Sequence, residues 1–128
     1  MASFVEGSYI SRQAGADLSE KIYHIAKTDS DGNVVLASAG TDAILGVIES
    51  PAKQGETVSV AVVSGSGTFK VKAGGTITKD AYLTANSSGQ AVATTTAGNR
   101  VFGRALVAAA SGDVVEYVKC NETVHADS

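Results

Sequence analysis

The sequence predicts an all-β fold, a single compact sandwich or barrel-like domain built of hairpins, with an extended N-terminal arm. Three observations predict it. Apolar residues recur with a period of two, glycine-centred turn signals punctuate β-branched runs every ~8–15 residues, and only one stretch, ADLSEKIYHIA, offers helical spacing. Strands alternating with long helical segments, the mark of a parallel α/β sheet, are missing from the pattern.

Residues 1–16 hold Phe4, Val5, Tyr9 and Ile10 among Gly and Ser without a clear period, and are expected to form an arm rather than a core strand. In ADLSEKIYHIA, Leu18, Ile22 and Ile25 keep helical spacing and Asp17 with Glu20 fits a capping box. Tyr23 and Ile25 also alternate into Asp31-Gly32, which favours a strand at Ile22–Thr28. The run Asp29-Ser30-Asp31-Gly32-Asn33 is expected to be a hairpin turn. As a calcium loop it lacks glycine at the sixth position and glutamate at the twelfth, where Val34 and Gly40 stand.

In TVSVAVV, Val58, Val60 and Val62 fall on one face, and in TFKVK Phe69 and Val71 alternate with Thr68, Lys70 and Lys72. The four residues between these runs, Ser64-Gly65-Ser66-Gly67, have the length and freedom of a hairpin turn. Gly74-Gly75, Ser88-Gly89, Ala97-Gly98-Asn99 and Ser111-Gly112-Asp113 mark later turns. The body is expected to run over residues 17–120, and the polar stretch 121–128 to be a flexible tail.

A chain of 128 residues can hold one core without staples. Its charged content of 18% is below the ~25% usual for globular proteins, and the net charge of −3 with scattered Lys and Arg argues against a nucleic-acid partner. The start carries no basic head followed by an apolar run, so no secretory signal is expected. The longest apolar runs, Ala43–Ile48 and Ala105–Ala110, are too short to span a bilayer, so no membrane partner is expected.

Motifs that carry chemistry are scarce. G-x-x-x-x-G-K-[ST], G-x-G-x-x-G and G-x-S-x-G are all missing, so no cofactor and no catalytic residue is expected. His24 and His125 have no ligand-type neighbour at metal-binding spacing. Cys120, the single cysteine, is expected to be a small strand residue. Asn121-Glu122-Thr123 fits the glycosylation sequon but lacks a signal peptide to give it meaning. Lys79-Asp80 opens a strand after a tight turn, with flanking residues reversed from those of a lipoyl hairpin.

What the outward positions offer is plainness: LASAGTDA, ATTTAG and ALVAAAS are made of small side chains, which lose little entropy on contact and let backbones approach closely. A β domain with few edge charges is expected to cover its edges with a partner or with copies of itself.

The runs DGNVVLASAGTDAILGVIESPAKQGETVSVAVVSG, KVKAGGTITKDAYLTANSSGQAVA and RVFGRALVAAASGDVVEYV resemble the tailed-phage capsid cement (decoration) proteins over roughly Ile22 to Lys119. The shared elements are A-I-L-G-V after an Asp/Gly turn, G-E-x-V-x-V, A-G-G-x-I-x-x-x-A-x-L, G-R-A-L and a closing G-D-V-V. Where that family usually has Gly before its x-L-x strand, this chain has Lys79-Asp80. The resemblance implies a non-enzymatic protein, made in the host cytoplasm, that binds the outside of an assembled phage capsid. There it would bind the major capsid protein and cement neighbouring subunits of the expanded shell, commonly as a homotrimer.

On that reading Phe4, Val5, Tyr9, Ile10 and Arg12 are the expected capsid contacts. Two rivals are a virion-surface carbohydrate-binding or adhesive module and a small β-barrel enzyme or carrier. The first lacks an obvious aromatic platform, with no Trp, four Tyr and three Phe.

Overall fold

A computed structural model describes residues 9–63 and 68–124. Ten strands form in chain order: β1 (Tyr9–Gln13), β2 (Ile25–Thr28), β3 (Val34–Leu36), β4 (Gly46–Ile48), β5 (Thr57–Val62), β6 (Thr68–Lys72), β7 (Tyr82–Ala85), β8 (Ala91–Ala93), β9 (Arg100–Ala105) and β10 (Val114–Thr123). No helix occurs among the described residues. The expected all-β sandwich is what forms: two five-stranded sheets ordered β1-β5-β4-β2-β3 and β6-β10-β9-β7-β8, with every strand pair antiparallel.

Each sheet is built by one half of the chain, and the order within each half is the same. The likeness extends to single atoms. Asp29 Oδ1 accepts from the amides of Asp31 and Asn33 at 2.9 Å each. Asn86, 57 positions on, accepts in the same way from Ser88 at 2.8 Å and Gln90 at 3.0 Å. Gly32 and Gly89 close these hairpins with φ of 83° and 73°. The Lys53 amide donates to Glu56 Oε1 at 2.8 Å, and the Ala110 amide to Asp113 Oδ2 at 2.9 Å, beside Gly55 (φ 89°) and Gly112 (φ 93°). Ala14 and Ala73 each form an isolated parallel bridge, to Val34 and to Ala91. The chain is a tandem duplication of one β unit.

Alternation along the strands of the first sheet sends neighbouring residues to different cores. Ala26, Ile48, Val58 and Val60 pack with Ala14, Leu18 and Ala52 of their own half. Ile25, Ala37 and Val47 face the other way, into a cluster with Val71, Leu83, Phe102, Val115 and Tyr117 of the second half. Burying each such side chain contributes roughly 1.5–3 kcal/mol. The halves are therefore joined by the back of the first sheet packing into the core of the second.

Several expectations change in detail. TVSVAVV and TFKVK form β5 and β6 but do not pair: they lie in different sheets. Alternation identifies a strand without naming its neighbour, and glycines free a crossover as readily as a hairpin. Residues 64–67 themselves lie outside the described residues. The strand expected from Ile22 starts at Ile25, because tight turns occupy the preceding residues and Tyr23 takes φ 68°. Its counterpart is Asp80 (φ 72°), so aspartate fills the left-handed turn position where glycine is usual. At the ends, Tyr9–Gln13 of the expected arm is an edge strand on β5, and β10 continues through Thr123, into the stretch expected to be a tail.

Candidate functional site

Of the expected contact residues, Tyr9, Ile10 and Arg12 lie on β1, whereas Phe4 and Val5 lie outside the described residues. Antiparallel register pairs Tyr9 with Ala61, Ile10 with Val60 and Arg12 with Val58. Ile10 packs against the first core. Tyr9 is half exposed, and the Arg12 guanidinium donates to the neighbouring Ser11 carbonyl at 2.9 Å. β1 is the last strand of its sheet, so its outer edge pairs with no strand among the described residues. Such an edge is a template for strand addition.

Tyr9 brings together residues that sequence reasoning did not connect. Its ring meets Phe69 of β6 edge to face, with centroids 5.4 Å apart. The Lys119 ammonium stands over the Phe69 ring at 4.2 Å and 6.0 Å from the Tyr9 centroid. Glu49, just past β4, completes the group. Its Oε2 is buried with no hydrogen-bond partner among the described residues, and burial raises its pKa, an effect the Lys119 charge partly offsets. Burial and then the Glu49 charge push the Tyr9 phenol up. The same two causes, with a smaller share from Tyr9, raise Tyr117. Burial pulls Lys119 down against the attraction of Glu49. The group straddles the two sheets where β1 meets β6, so it ties the edge strand to the second half.

A second feature lies on the other half. Asp80, Ala81, Tyr82, Ala93, Thr94 and Thr95 line an open cleft of about 410 Å³ that continues past Val101 toward Thr123. Tyr82 is 44% exposed and sits opposite Arg104 across the β7–β9 ladder, and Arg104 and Lys79 both pair with Asp80.

His24 is buried, its Nδ1 is 3.2 Å from the Ile22 carbonyl, and burial lowers its pKa. Cys120 is partly buried, and burial followed by the Glu122 carboxylate pushes its thiol up, away from the reactive thiolate. Among the described residues no three His, Cys, Asp or Glu side chains gather as a metal would require. The Asp29 side chain is taken up by its own turn.

The architecture is that of a known phage structure. The crystal structure of the head fiber gp8.5 N base in bacteriophage phi29 superposes with a TM-score of 0.69 at 21% identity, covering 91% of this chain and 97% of that one. The likeness is one of fold. No curated protein matches. The phage cement protein family matches over residues 19–120, most of the chain. This chain belongs to that family. The cement-family chain is thus a structural phage protein associated with the capsid, and the match runs from the loop before β2 into β10, leaving β1 outside it.

Proposed function

We propose that this chain binds the outer surface of an assembled phage capsid and cements neighbouring subunits of the major capsid protein, acting as a homotrimer and without catalysis. The observation that carries this reading is the family match over residues 19–120. The resemblance to a head fiber base agrees with it. The physics is mass action: a ligand that binds only the expanded lattice stabilises it by about 2.7 kcal/mol per site at a hundredfold excess over Kd. Bridging several subunits adds avidity.

The contact is assigned to the N-terminal residues Phe4 and Val5 and the β1 residues Tyr9, Ile10 and Arg12. The free edge of β1 supports strand addition by, or to, a capsid segment, and the small side chains elsewhere give close packing at little entropic cost. The carbohydrate-binding alternative finds a single exposed tyrosine, Tyr82, in the cleft. Co-sedimentation with undecorated expanded capsids tests the proposal. Saturable binding that raises the temperature at which capsids break open is expected, and no binding to any expanded shell would overturn it.

A further inference from the structure

The duplication carries a consequence for assembly, because the two halves are joined head to tail and a head-to-tail joint leaves one surface of each kind unused. At the joint, the β7–β8 hairpin inserts into the back of the first half. Ile25 donates its amide to the Gly89 carbonyl at 2.6 Å, and Lys72 donates to the Tyr23 carbonyl at 2.9 Å. A Cβ on Gly89 would stand 3.2 Å from the Ile25 carbonyl oxygen and 3.3 Å from that of Ala37. Gly89 is buried there.

The corresponding parts elsewhere are unmated. Gly32, the counterpart of Gly89, is exposed, and a Cβ on it would meet nothing within 4 Å. Tyr23, Ile25 and Ala37, which receive the hairpin, correspond to Asp80, Tyr82 and Thr94, and these line the open cleft. Ile25 is fully buried whereas Tyr82 is 44% exposed. We propose that the β2–β3 hairpin of one copy, Asp29–Asn33, inserts into the Asp80–Tyr82–Thr94 cleft of a second copy, repeating between chains the joint made within each chain. In that contact Tyr82 donates its amide to the Gly32 carbonyl of the other copy, and Gln13, the counterpart of Lys72, donates to the Asp80 carbonyl.

Chemistry favours this occupant. The hairpin that inserts within the chain, Asn86-Ser87-Ser88-Gly89-Gln90, is uncharged and meets Ile25 and Ala37. The free hairpin carries Asp29 and Asp31, and the free cleft has Lys79 and Arg104 at its Asp80 rim. The tethered joint is uncharged and permanent. The joint between copies is polar and oppositely charged, as suits a contact that forms and separates in water. Because it is heterologous, each chain keeps a hairpin and a cleft, and association does not stop at two chains.

The proposal rests on the duplication and not on capsid binding, so a chain that self-associates yet ignores every capsid would remove only the functional reading. The test uses three full-length proteins in analytical ultracentrifugation up to millimolar concentration. Gly32→Asn keeps a residue that tolerates φ > 0 but adds a side chain at the insertion point, and Ala93→Arg fills the cleft from an exposed position. Wild-type protein is expected to form species larger than two chains that dissociate as salt is raised. Each variant alone is expected to sediment as one chain. An equimolar mixture of the two is expected to give a two-chain species, since one intact hairpin and one intact cleft remain. Thermal unfolding by circular dichroism verifies that both variants fold, and Gly32→Ser and Ala93→Glu replace either that does not. A monomeric wild type, a folded variant that associates like wild type, or a mixture that stays monomeric would each overturn the proposal.

Discussion

The amide of Ile25 donates to the carbonyl of Gly89 at 2.6 Å, and this one bond marks where a hairpin of the second repeat enters the back of the first. Gly89 holds φ 73° there, with two carbonyl oxygens in the way of any side chain. Gly32 holds φ 83° in the matching hairpin with open space around it. Gly32→Ala is expected to cost only the left-handed backbone term, roughly 1–2 kcal/mol. Gly89→Ala adds displacement of the joint, roughly 1–3 kcal/mol more by overpacking. Urea unfolding of the two variants checks the difference. Equal losses would mean that Gly89 is held by its turn alone.

A second pair of matching glycines sits inside the strands. A Cβ on Gly46 would collide with the Ala61 backbone carbonyl, and one on Gly103 with the Tyr117 ring and the Val118 carbonyl 2.9 Å away. The obstacle at Gly46 is backbone, which cannot swing aside as a side chain can. Gly46→Ala is expected to break the β4–β5 ladder and cost more than about 4 kcal/mol, an exceptional loss for one methyl group. Gly103→Ala should cost less, because the Tyr117 ring can tilt. Denaturant midpoints of the two variants read this ranking directly.

Much of this fold is legible in the sequence. Period-two valines place β5, and Asp31-Gly32 and Ser88-Gly89 place two hairpins. The separation of β5 and β6 into different sheets was not legible, because alternation carries no label for the partner strand. The duplication left traces in D-S-D-G-N against N-S-S-G-Q and Q-G-E-T-V against S-G-D-V-V, each pair 57 residues apart. Their chemistry is matched while few letters are identical, so a search for identical residues passes over them. The cluster of Tyr9, Phe69, Lys119 and Glu49 could not be foreseen, since it forms where the two repeats abut and its members lie on four segments.

Glu49 and Asp42 give stability opposite responses to acid. Burial raises the folded pKa of Glu49 above its ordinary 4.5, so the protonated form is favoured by folding. Stability from this group is fully present below the unfolded pKa and is lost as pH rises through the folded value. The Asp42 carboxylate is held below its ordinary 3.8, first by the Ser38 amide, and its contribution is lost as pH falls through the folded value. Between neutrality and about pH 5 the Glu49 contribution should rise with acidification, and below about pH 4 that of Asp42 should fall. Glu49→Gln is expected to remove the first response and Asp42→Asn the second, measured as urea midpoints across that range. An unchanged profile for Glu49→Gln would show its carboxylate to be solvated.

The edge strand β1 belongs to the folded body. Ile10 packs against the first core and Ala14 is 2% exposed, so residues from β1 onward belong to the body. Tyr9 is tied to Phe69 as well. Removal of residues 1–8 spares β1 with Ile10 and Ala14, so the body is expected to stay folded. Removal through Gln13 strips β5 of its outer neighbour and should cost several kcal/mol, since Ile10 alone contributes about 1–3 kcal/mol by burial. On the proposed function, the shorter truncation, which takes Phe4 and Val5 but spares β1, weakens binding to expanded capsids while the body stays folded. Arg12→Ala, which removes an exposed charge and no core contact, should do the same to a lesser degree. Co-sedimentation beside circular dichroism distinguishes the two effects, and full capsid binding by a folded protein lacking residues 1–8 would remove Phe4 and Val5 from the contact and leave it to β1.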